Sequence, residues 1–194
     1  MKNKEETNLK ENLPKKSFFK KMFNKHSGKK EVLKFLHQKN IHQLYFYTDV
    51  SNVLLILENG IKLIKDQKLK SDEEYIVWTY LENNNSIGLE LDSSTRAHFW
   101  KWAIEAHVEV EKISVIGIDP IKLSTLLKSD WALDIKDNLI YIYETIPVEV
   151  IDFIMIKDKT NLQRIQTYIT SQELNIDVYF GETGNIKEIR GKDL

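Results

Sequence analysis

The sequence predicts an α+β domain in which strands outnumber helices. Short runs of β-branched and aromatic residues are spread along most of the chain. Turn-forming residues separate several of these runs directly, with no helical segment between them. Helical periodicity is confined to a few segments with a capping residue at their start. Strict βαβ order is therefore absent, and we expect a mixed or antiparallel sheet with flanking helices.

Length and composition favour one domain. The chain has 194 residues, of which 42% are hydrophobic, enough for one sizeable core. It has no cysteine, which excludes a disulfide framework, a thiolate nucleophile and a cysteine-based zinc site. This composition is compatible with the reducing cytoplasm, where we expect the protein to work. No apolar run approaches the roughly 20 residues that span a bilayer, so a soluble protein is expected.

Charge divides the chain into a tail and a body. Residues 1–30 hold ten lysines and three glutamates, a net charge of +7, and we expect them to form a flexible tail. Residues 31–194 hold 18 basic and 26 acidic residues, a net charge of −8, and form the single predicted domain. The tail could contact phosphates, an anionic membrane surface or an acidic partner, or it could be a solvated leader.

Element signals follow one another closely in the first half of the domain. Asp49 or Ser51 can cap a helix that follows a β-forming run, and Gly60 suits its left-handed exit. A triple asparagine predicts a turn between two paired strands. The expected elements are helices over 31–38 and 51–59, strands over 41–48, 61–64, 75–80 and 87–91, and a turn over 82–86.

The second half continues with short elements. A Ser-Ser-Thr run over 93–95 can cap a helix that reaches about His107, and Asp119-Pro120 is typical of a helix start. Apolar runs with the length of buried strands recur up to the C-terminal region. The further expected elements are strands over 113–118, 139–144, 150–156 and 175–180, and a helix over 161–170.

Several common chemistries lack their motifs. Neither a Walker-type phosphate loop nor a GxGxxG dinucleotide fingerprint is present. The five histidines form no HExxH-like pair, so we expect no metal.

One carboxylate has a position that favours chemistry. Glu144 ends the predicted strand over 139–144, just before the chain breaks at Pro147. A strand-end glutamate beside aromatic residues can be held rigidly, which suits binding a sugar hydroxyl or stabilising a cationic transition state. Glu149 is the rival acid, and an exposed carboxylate without function is the alternative for Glu144.

The segments 44–61 and 138–151 together resemble the ADP-ribosyltransferase fold, and within it the DarT-like enzymes that modify bases in single-stranded DNA. In that family a strand with aromatic and threonine residues leads into a helix that begins near an asparagine and ends at a glycine. A glutamate just before an Ile-Pro turn is the family's catalytic acid, and Glu144 matches it. The other matching residues are Tyr45, Tyr47, Thr48, Asn52 and Gly60.

The resemblance implies a split sheet whose cleft binds NAD as a substrate, without a metal. Glu144 would stabilise the ribosyl oxocarbenium ion while nicotinamide leaves. Single-stranded nucleic acid is the implied acceptor, and an antitoxin-like protein is an implied partner, as in toxin–antitoxin or phage-defence systems. The residues expected to bind NAD are Tyr45, Tyr47, Thr48, Asn52, Tyr80 and Arg96, with Trp78 as a further aromatic ring.

Each of these residues also has a simpler interpretation. Tyr45 and Tyr47 project to one face of their strand and could belong to a core layer. Arg96 could bind a phosphate at a helix start, or it could form a surface ion pair with Glu90 or Asp92. Where the family often has a histidine on its first strand, this chain has Phe46, which cannot form that hydrogen bond.

Two other functions are therefore kept open. The first is a noncatalytic interaction module on a degenerate transferase scaffold, which Phe46 favours. The second is an RNA-end-processing enzyme of the same fold, for which a cleft more basic than this acidic body is expected.

Overall fold

The computed structural model describes residues 28–63, 82–83, 85–92 and 109–181. No helix in these ranges is long and apolar enough to cross a membrane. The helices are α1 (Lys29–Gln38), α2 (Val53–Asn59), α3 (Pro120–Leu126) and α4 (Lys159–Ser171), and single 3-10 turns cover Val50–Asn52, Val110–Lys112 and Val148–Val150. The strands are β1 (Leu44–Asp49), β2 (Glu82–Asn83), β3 (Ser86–Leu91), β4 (Ile113–Ile118), β5 (Ala132–Asp134), β6 (Leu139–Ile142), β7 (Ile151–Ile156) and β8 (Asp177–Phe180).

The eight described strands form one mixed sheet. Its order is β5-β6-β3-β1-β4-β7-β8, and β2 pairs with β3 outside this path. Neighbouring strands are antiparallel, except that β8 runs parallel to β7, to which the chain returns through α4. This arrangement confirms the predicted α+β class.

The two halves of the sheet are joined at the start of β1. Six residue pairs connect β1 with β4, whereas only Leu44↔Leu91 and Tyr45↔Glu90 connect β1 with β3. The ladder between β1 and β3 therefore stops after Tyr45. This partial pairing corresponds to the split sheet that the resemblance implies.

The sheet carries a different core on each face. Along β1, Leu44 and Phe46 belong to the larger core, while Tyr45 and Tyr47 belong to the smaller one. This alternation is the two-residue period of a strand that is covered on both faces. All four helices contribute to the larger core, through Val32, Leu36, Val53, Ile56, Leu57, Leu123, Ile165 and Ile169.

A glycine on β4 shapes the smaller core. Gly117 lies between Tyr45 on β1 and Phe153 on β7. A Cβ atom at this position would collide with the ring of Phe153, which therefore lies directly over Gly117. The ring centroid of Phe153 is 6.4 Å from that of Tyr45 and 5.9 Å from that of Tyr179, within the range of favourable aromatic contacts.

Most of the predicted elements that fall on described residues are confirmed. The strand over 113–118 has the expected bounds, and Asp119 caps α3 by accepting hydrogen bonds from the amides of Ile121 and Lys122. The expected strand over 75–80 and the helix that would reach His107 lie outside the described residues.

Three predicted elements end elsewhere than expected, and one strand was missed. The strand over 61–64 is a single bridge residue at Ile61, because its partner Ile146 lies in an irregular segment. The turn over 82–86 is shorter than predicted, since 82–83 and Ser86 already pair as strands. The strand expected over 139–144 ends at Ile142, and the short strand β5 was not predicted.

Gly60 ends α2 against a distant part of the backbone. Its φ of 74° is positive as expected, but its ψ of 179° is extended rather than left-handed helical. A Cβ atom on Gly60 would collide with the carbonyl oxygen of Ile146. The amides and carbonyls of Ile61 and Ile146 then exchange two hydrogen bonds of 2.9 Å each. Gly60 therefore allows the end of α2 to contact the segment that follows Glu144.

Replacing Gly60 with alanine should destabilise the fold. This backbone conformation costs a residue with a side chain about 1 to 3 kcal/mol, and the clash with Ile146 adds to that cost. Urea denaturation of Gly60→Ala should therefore show a loss of at least about 1 to 3 kcal/mol in the free energy of unfolding. Glu58→Ala, at an exposed position of the same helix, is the matched control and should change stability by less than about 0.5 kcal/mol. Equal losses in both variants would contradict this assignment.

Candidate functional site

Thr48 on β1 and Asn52 in the turn that follows form a buried polar pair, and a cap by Asp49 shapes this turn. The Asp49 carboxylate accepts hydrogen bonds from the amide and the hydroxyl of Ser51, at 2.9 and 2.7 Å. This cap turns the chain into the 3-10 turn before α2. The turn brings the Asn52 side-chain amide to 3.0 Å from the Thr48 hydroxyl, to which it donates. Both side chains are buried, so two predicted NAD-binding residues form one fixed polar unit.

Tyr45 and Tyr47 lie on the other face of the sheet. Their exposed fractions are 3% and 1%, and both pack in the smaller core with Val115, Phe153 and Met155. Thr48 is one residue beyond Tyr47 on β1, so its side chain projects to the opposite face. Both rings therefore occupy the core-layer positions that were the simpler interpretation.

Phe46 has no access to the face of these tyrosines. Its side chain is fully buried in the larger core, on the side of the helices. Phe46 is thus a packing residue in this chain.

Glu144 lies two residues beyond the end of β6 and is half-buried. Its Oε1 atom accepts hydrogen bonds from the backbone amides of Lys128 and Ser129, both at 2.7 Å. Partial desolvation opposes ionisation of the carboxyl group, but these amides, the Ser129 hydroxyl and the positive charge of Lys29 outweigh it and lower the pKa of Glu144. Neither of these two amides binds the second oxygen, Oε2. The carboxylate is therefore ionised and held at one oxygen.

Elements on both sides fix the segment around Glu144. Ile142 precedes it as the last residue of β6, and Ile146 follows it in the bridge to Ile61. The segment that contains Glu144 is thus tied to the end of α2 and to the loop at 128–129. The attachment to α2 joins the β1–α2 region with the segment that contains Glu144.

The loop bound by Glu144 is also held from α1. The Lys29 ammonium group donates to the carbonyls of Ser124 and Leu127, at 3.0 and 2.7 Å. The Gly28 amide donates to the Trp131 carbonyl at 2.9 Å. Hydrogen bonds from the start of α1 therefore hold both ends of the loop whose amides bind Glu144.

The described residues of the predicted site fall into separate groups. Thr48 and Asn52 form the polar pair, Glu144 lies at the loop, and Tyr45 and Tyr47 are on the opposite face. The rival acid Glu149 is exposed in the 3-10 turn at Val148–Val150. Tyr80, Arg96 and Trp78 lie outside the described residues.

Two residues near the candidate site, Glu90 and Tyr143, were not among the predicted site residues. Glu90 on β3 is only 5% exposed, and it pairs in register with Tyr45 and Leu139. Tyr143 immediately precedes Glu144 and is 42% exposed. An acid inside the apolar run of β3 was a visible signal for Glu90, but the exposure of Tyr143 depends on where β6 ends.

The described residues hold no group of three histidine, aspartate or glutamate side chains that could bind a metal ion.

Comparison with known proteins gives matches among solved structures. No protein-family model matches the chain, and no curated protein matches it. DarTG of Thermosipho africanus, solved in complex with ADP-ribose, is similar at 10% identity with a TM-score of 0.49. That match covers 71% of this chain and 49% of the other, so this chain spans about half the length of the matched one.

Two structures of DarT from Thermus sp. 2.9 also match. The complex with carba-NAD+ has 8% identity and a TM-score of 0.47, with 72% of this chain and 96% of the other covered. The complex with ADP-ribosylated ssDNA has 9% identity and a TM-score of 0.47, with 73% and 95% covered.

The hydrogen bonds of Glu144 should make stability depend on pH. Glu144→Gln keeps an accepting oxygen but loses the charge, which should cost about 1 kcal/mol at neutral pH. Because the folded state lowers the pKa of Glu144, its contribution is complete above the ordinary value of 4.5 and is lost as the pH falls through the lowered pKa. Urea denaturation should show a difference between wild type and variant at pH 7 that shrinks below about pH 4.5.

The exposed Glu149 provides the control for this experiment. Glu149→Gln removes a carboxylate that has no hydrogen-bond partner among the described residues, and its stability should stay close to that of the wild type. A Glu144→Gln difference that is constant from pH 3 to pH 7 would show that the charge of Glu144 is not what the amides bind.

Proposed function

We propose that this protein transfers ADP-ribose from NAD to a nucleic-acid acceptor, with Glu144 as the catalytic carboxylate. The observation that carries the proposal is the state of this side chain. Two amides hold Oε1 at 2.7 Å, they and the Ser129 hydroxyl favour the ionised form, and Oε2 is bound by neither amide. A fixed, ionised and half-buried carboxylate is suited to stabilise positive charge that develops beside it.

The reaction requires this kind of group. The bond between nicotinamide and ribose breaks, and nicotinamide leaves with the bonding electron pair. Positive charge then develops on the ribose ring, and an anion near that ring lowers the barrier. A nucleophilic atom of the acceptor forms the new bond to ribose and loses its proton to solvent. Oε2 of Glu144 is the atom we assign to the developing charge.

The remaining assignments concern NAD binding. The polar pair of Thr48 and Asn52 is buried, so it would support a site at the end of β1 from beneath, by fixing the turn into α2. We assign Arg96 to the pyrophosphate, since a guanidinium group binds phosphate oxygens in a bidentate manner, and we assign Tyr80 to the same site. Tyr45 and Tyr47 would support the wall of the cleft from within the smaller core, because their rings are buried.

Tyr143 is a better stacking candidate than these two tyrosines. Its ring is 42% exposed, and it is the residue next to Glu144 in the chain. The β1 tyrosines lack such exposure. We therefore assign the stacking role of the site to Tyr143.

The proposed nucleic-acid acceptor is inferred from the charge of the N-terminal residues. The net charge of +7 in residues 1–30 supports contacts with a phosphate backbone, which basic side chains bind without sequence preference. An antitoxin-like protein, and a role in toxin–antitoxin or phage-defence systems, belong to the same proposal.

A second candidate function is a noncatalytic interaction module. The burial of Tyr45 and Tyr47 favours it, because these rings belong to a core rather than to an open cleft. Phe46 at the histidine position favours it too. In this case the acidic body would bind a protein partner, and neither NAD nor Glu144 would have a role.

The test is transfer from labelled NAD onto single-stranded DNA, RNA and lysate proteins. Wild type should label a nucleic acid, and Glu144→Gln should lower the rate by at least about 100-fold, the range for loss of a group that stabilises charge in a transition state. Glu149→Gln should keep the wild-type rate. NAD binding measured by calorimetry without any transfer would favour a different acceptor. The absence of both binding and transfer in the wild type would overturn the proposal and favour the interaction module.

Truncation of Tyr143 should weaken NAD binding specifically. Stacking contributes about 0.5 to 1.5 kcal/mol, so Tyr143→Ala should raise the dissociation constant for NAD by about 2- to 12-fold. Phe180→Ala removes another partly exposed ring, from β8 at the far edge of the sheet, and should leave binding unchanged. Equal effects of the two substitutions in calorimetry would assign the change to stability rather than to stacking.

A further inference from the structure

Lys29 has an unusual place for a lysine. It is the first residue of α1, where its charge opposes the dipole of its own helix. Its ammonium group instead reaches the end of α3 and donates to the carbonyls of Ser124 and Leu127. Carbonyls at a helix C-terminus lack partners within the helix and carry partial negative charge. The favourable interaction of Lys29 is therefore with α3.

The contact of Lys29 fixes the residues that bind Glu144. Leu127 is the C-cap of α3, and Lys128 and Ser129 follow directly. Their amides are the two donors to Oε1 of Glu144. The Leu127 carbonyl and the Lys128 amide belong to one planar peptide unit, so holding the carbonyl orients that amide. Two hydrogen-bonded steps thus connect the Lys29 side chain with the carboxylate.

The geometry points to Lys29 as the positioning residue for Glu144. Through the end of α3, it sets the direction of the 128 and 129 amides, and these amides orient the carboxylate. As a positioning role this inference rests on the proposed function, while the connection between Lys29 and Glu144 can be measured without any activity. Lys29 on α1 is the charged group that acts on the carboxylate, and Asp130, in the same loop as the donor amides, accepts a hydrogen bond from the Lys29 amide.

Lys30 provides a matched control. It is the next residue of α1, carries the same charge and is exposed, and it has no hydrogen-bond partner among the described residues. A variant at this position removes a lysine from the same helical turn without touching α3. Any difference between substitutions at 29 and 30 therefore reports the contact rather than the net charge.

The experiment follows the amide protons of Lys128 and Ser129 by NMR in the full-length protein between pH 3 and pH 7. In the wild type, both signals should shift together as Glu144 gains its proton, because a charged acceptor binds an amide more strongly than a neutral one. In Lys29→Met, the amplitude of these shifts should be lost. In Lys30→Met, it should equal that of the wild type. Lys29→Arg, which keeps the charge and several donors, should restore it.

Two results would overturn the inference. If the shifts in Lys29→Met keep their amplitude and only their midpoint moves, Lys29 acts through its charge alone. If the two amides do not titrate in the wild type, Glu144 is not their acceptor in solution. Should Lys29→Met fail to fold, Lys29→Gln, which keeps a polar group but no charge, is judged by the same amplitudes.

The rate of transfer provides a separate result. In a wild type that transfers ADP-ribose, Lys29→Met should lower the rate by about 10- to 100-fold, since a small misplacement of a catalytic group has effects of this size. Lys30→Met should keep the rate. A wild type that has titrating amides but neither binds NAD nor transfers would refute the proposed function and leave the Lys29 contact established.

Discussion

The coverage of β1 on both faces is the constraint on which the rest of this structure depends. A central strand between two cores must send alternate side chains to opposite sides, and β1 does so with Phe46 on one side and Tyr45 and Tyr47 on the other. Its position also determines the topology. β4 pairs along its whole length, while β3 pairs at only two positions. The strand therefore holds the two halves of the sheet together, and it places the Thr48 hydroxyl on the opposite face from Tyr45 and Tyr47.

The candidate site depends on contacts between distant parts of the chain. Glu144 follows β6, but the groups that hold it come from the loop after α3, and that loop is in turn held by α1. The other attachment of its segment comes from the end of α2. Backbone atoms make most of these contacts. Such an arrangement constrains local backbone geometry more than it constrains side-chain identity, apart from Gly60, Lys29 and Glu144 itself.

The elements of the fold could be predicted from the sequence where local chemistry determines the structure. Asp119 caps its helix as predicted, and the run over 113–118 is long and apolar enough to be a buried strand. The prediction was wrong where a partner distant in sequence determines the structure, as for the single bridge at Ile61 and for the early end of β6. For the site, the fixation of the segment around Glu144 by two flanking elements was predictable from the strand and from Pro147. The amides of Lys128 and Ser129 were not, because no local signal connects 128–129 with residue 144.

The ring of Phe153 over Gly117 links two strands in a way that extends beyond this one chain. Because no Cβ fits beneath the ring, the volumes at these two positions are complementary. A homologue with a side chain at the position of Gly117 would need a smaller residue at that of Phe153, and it would lose the aromatic contacts with Tyr45 and Tyr179. The two positions should therefore covary during evolution. Such covariation would mark the β4–β7 pair in an alignment even where the identities of the surrounding residues have diverged.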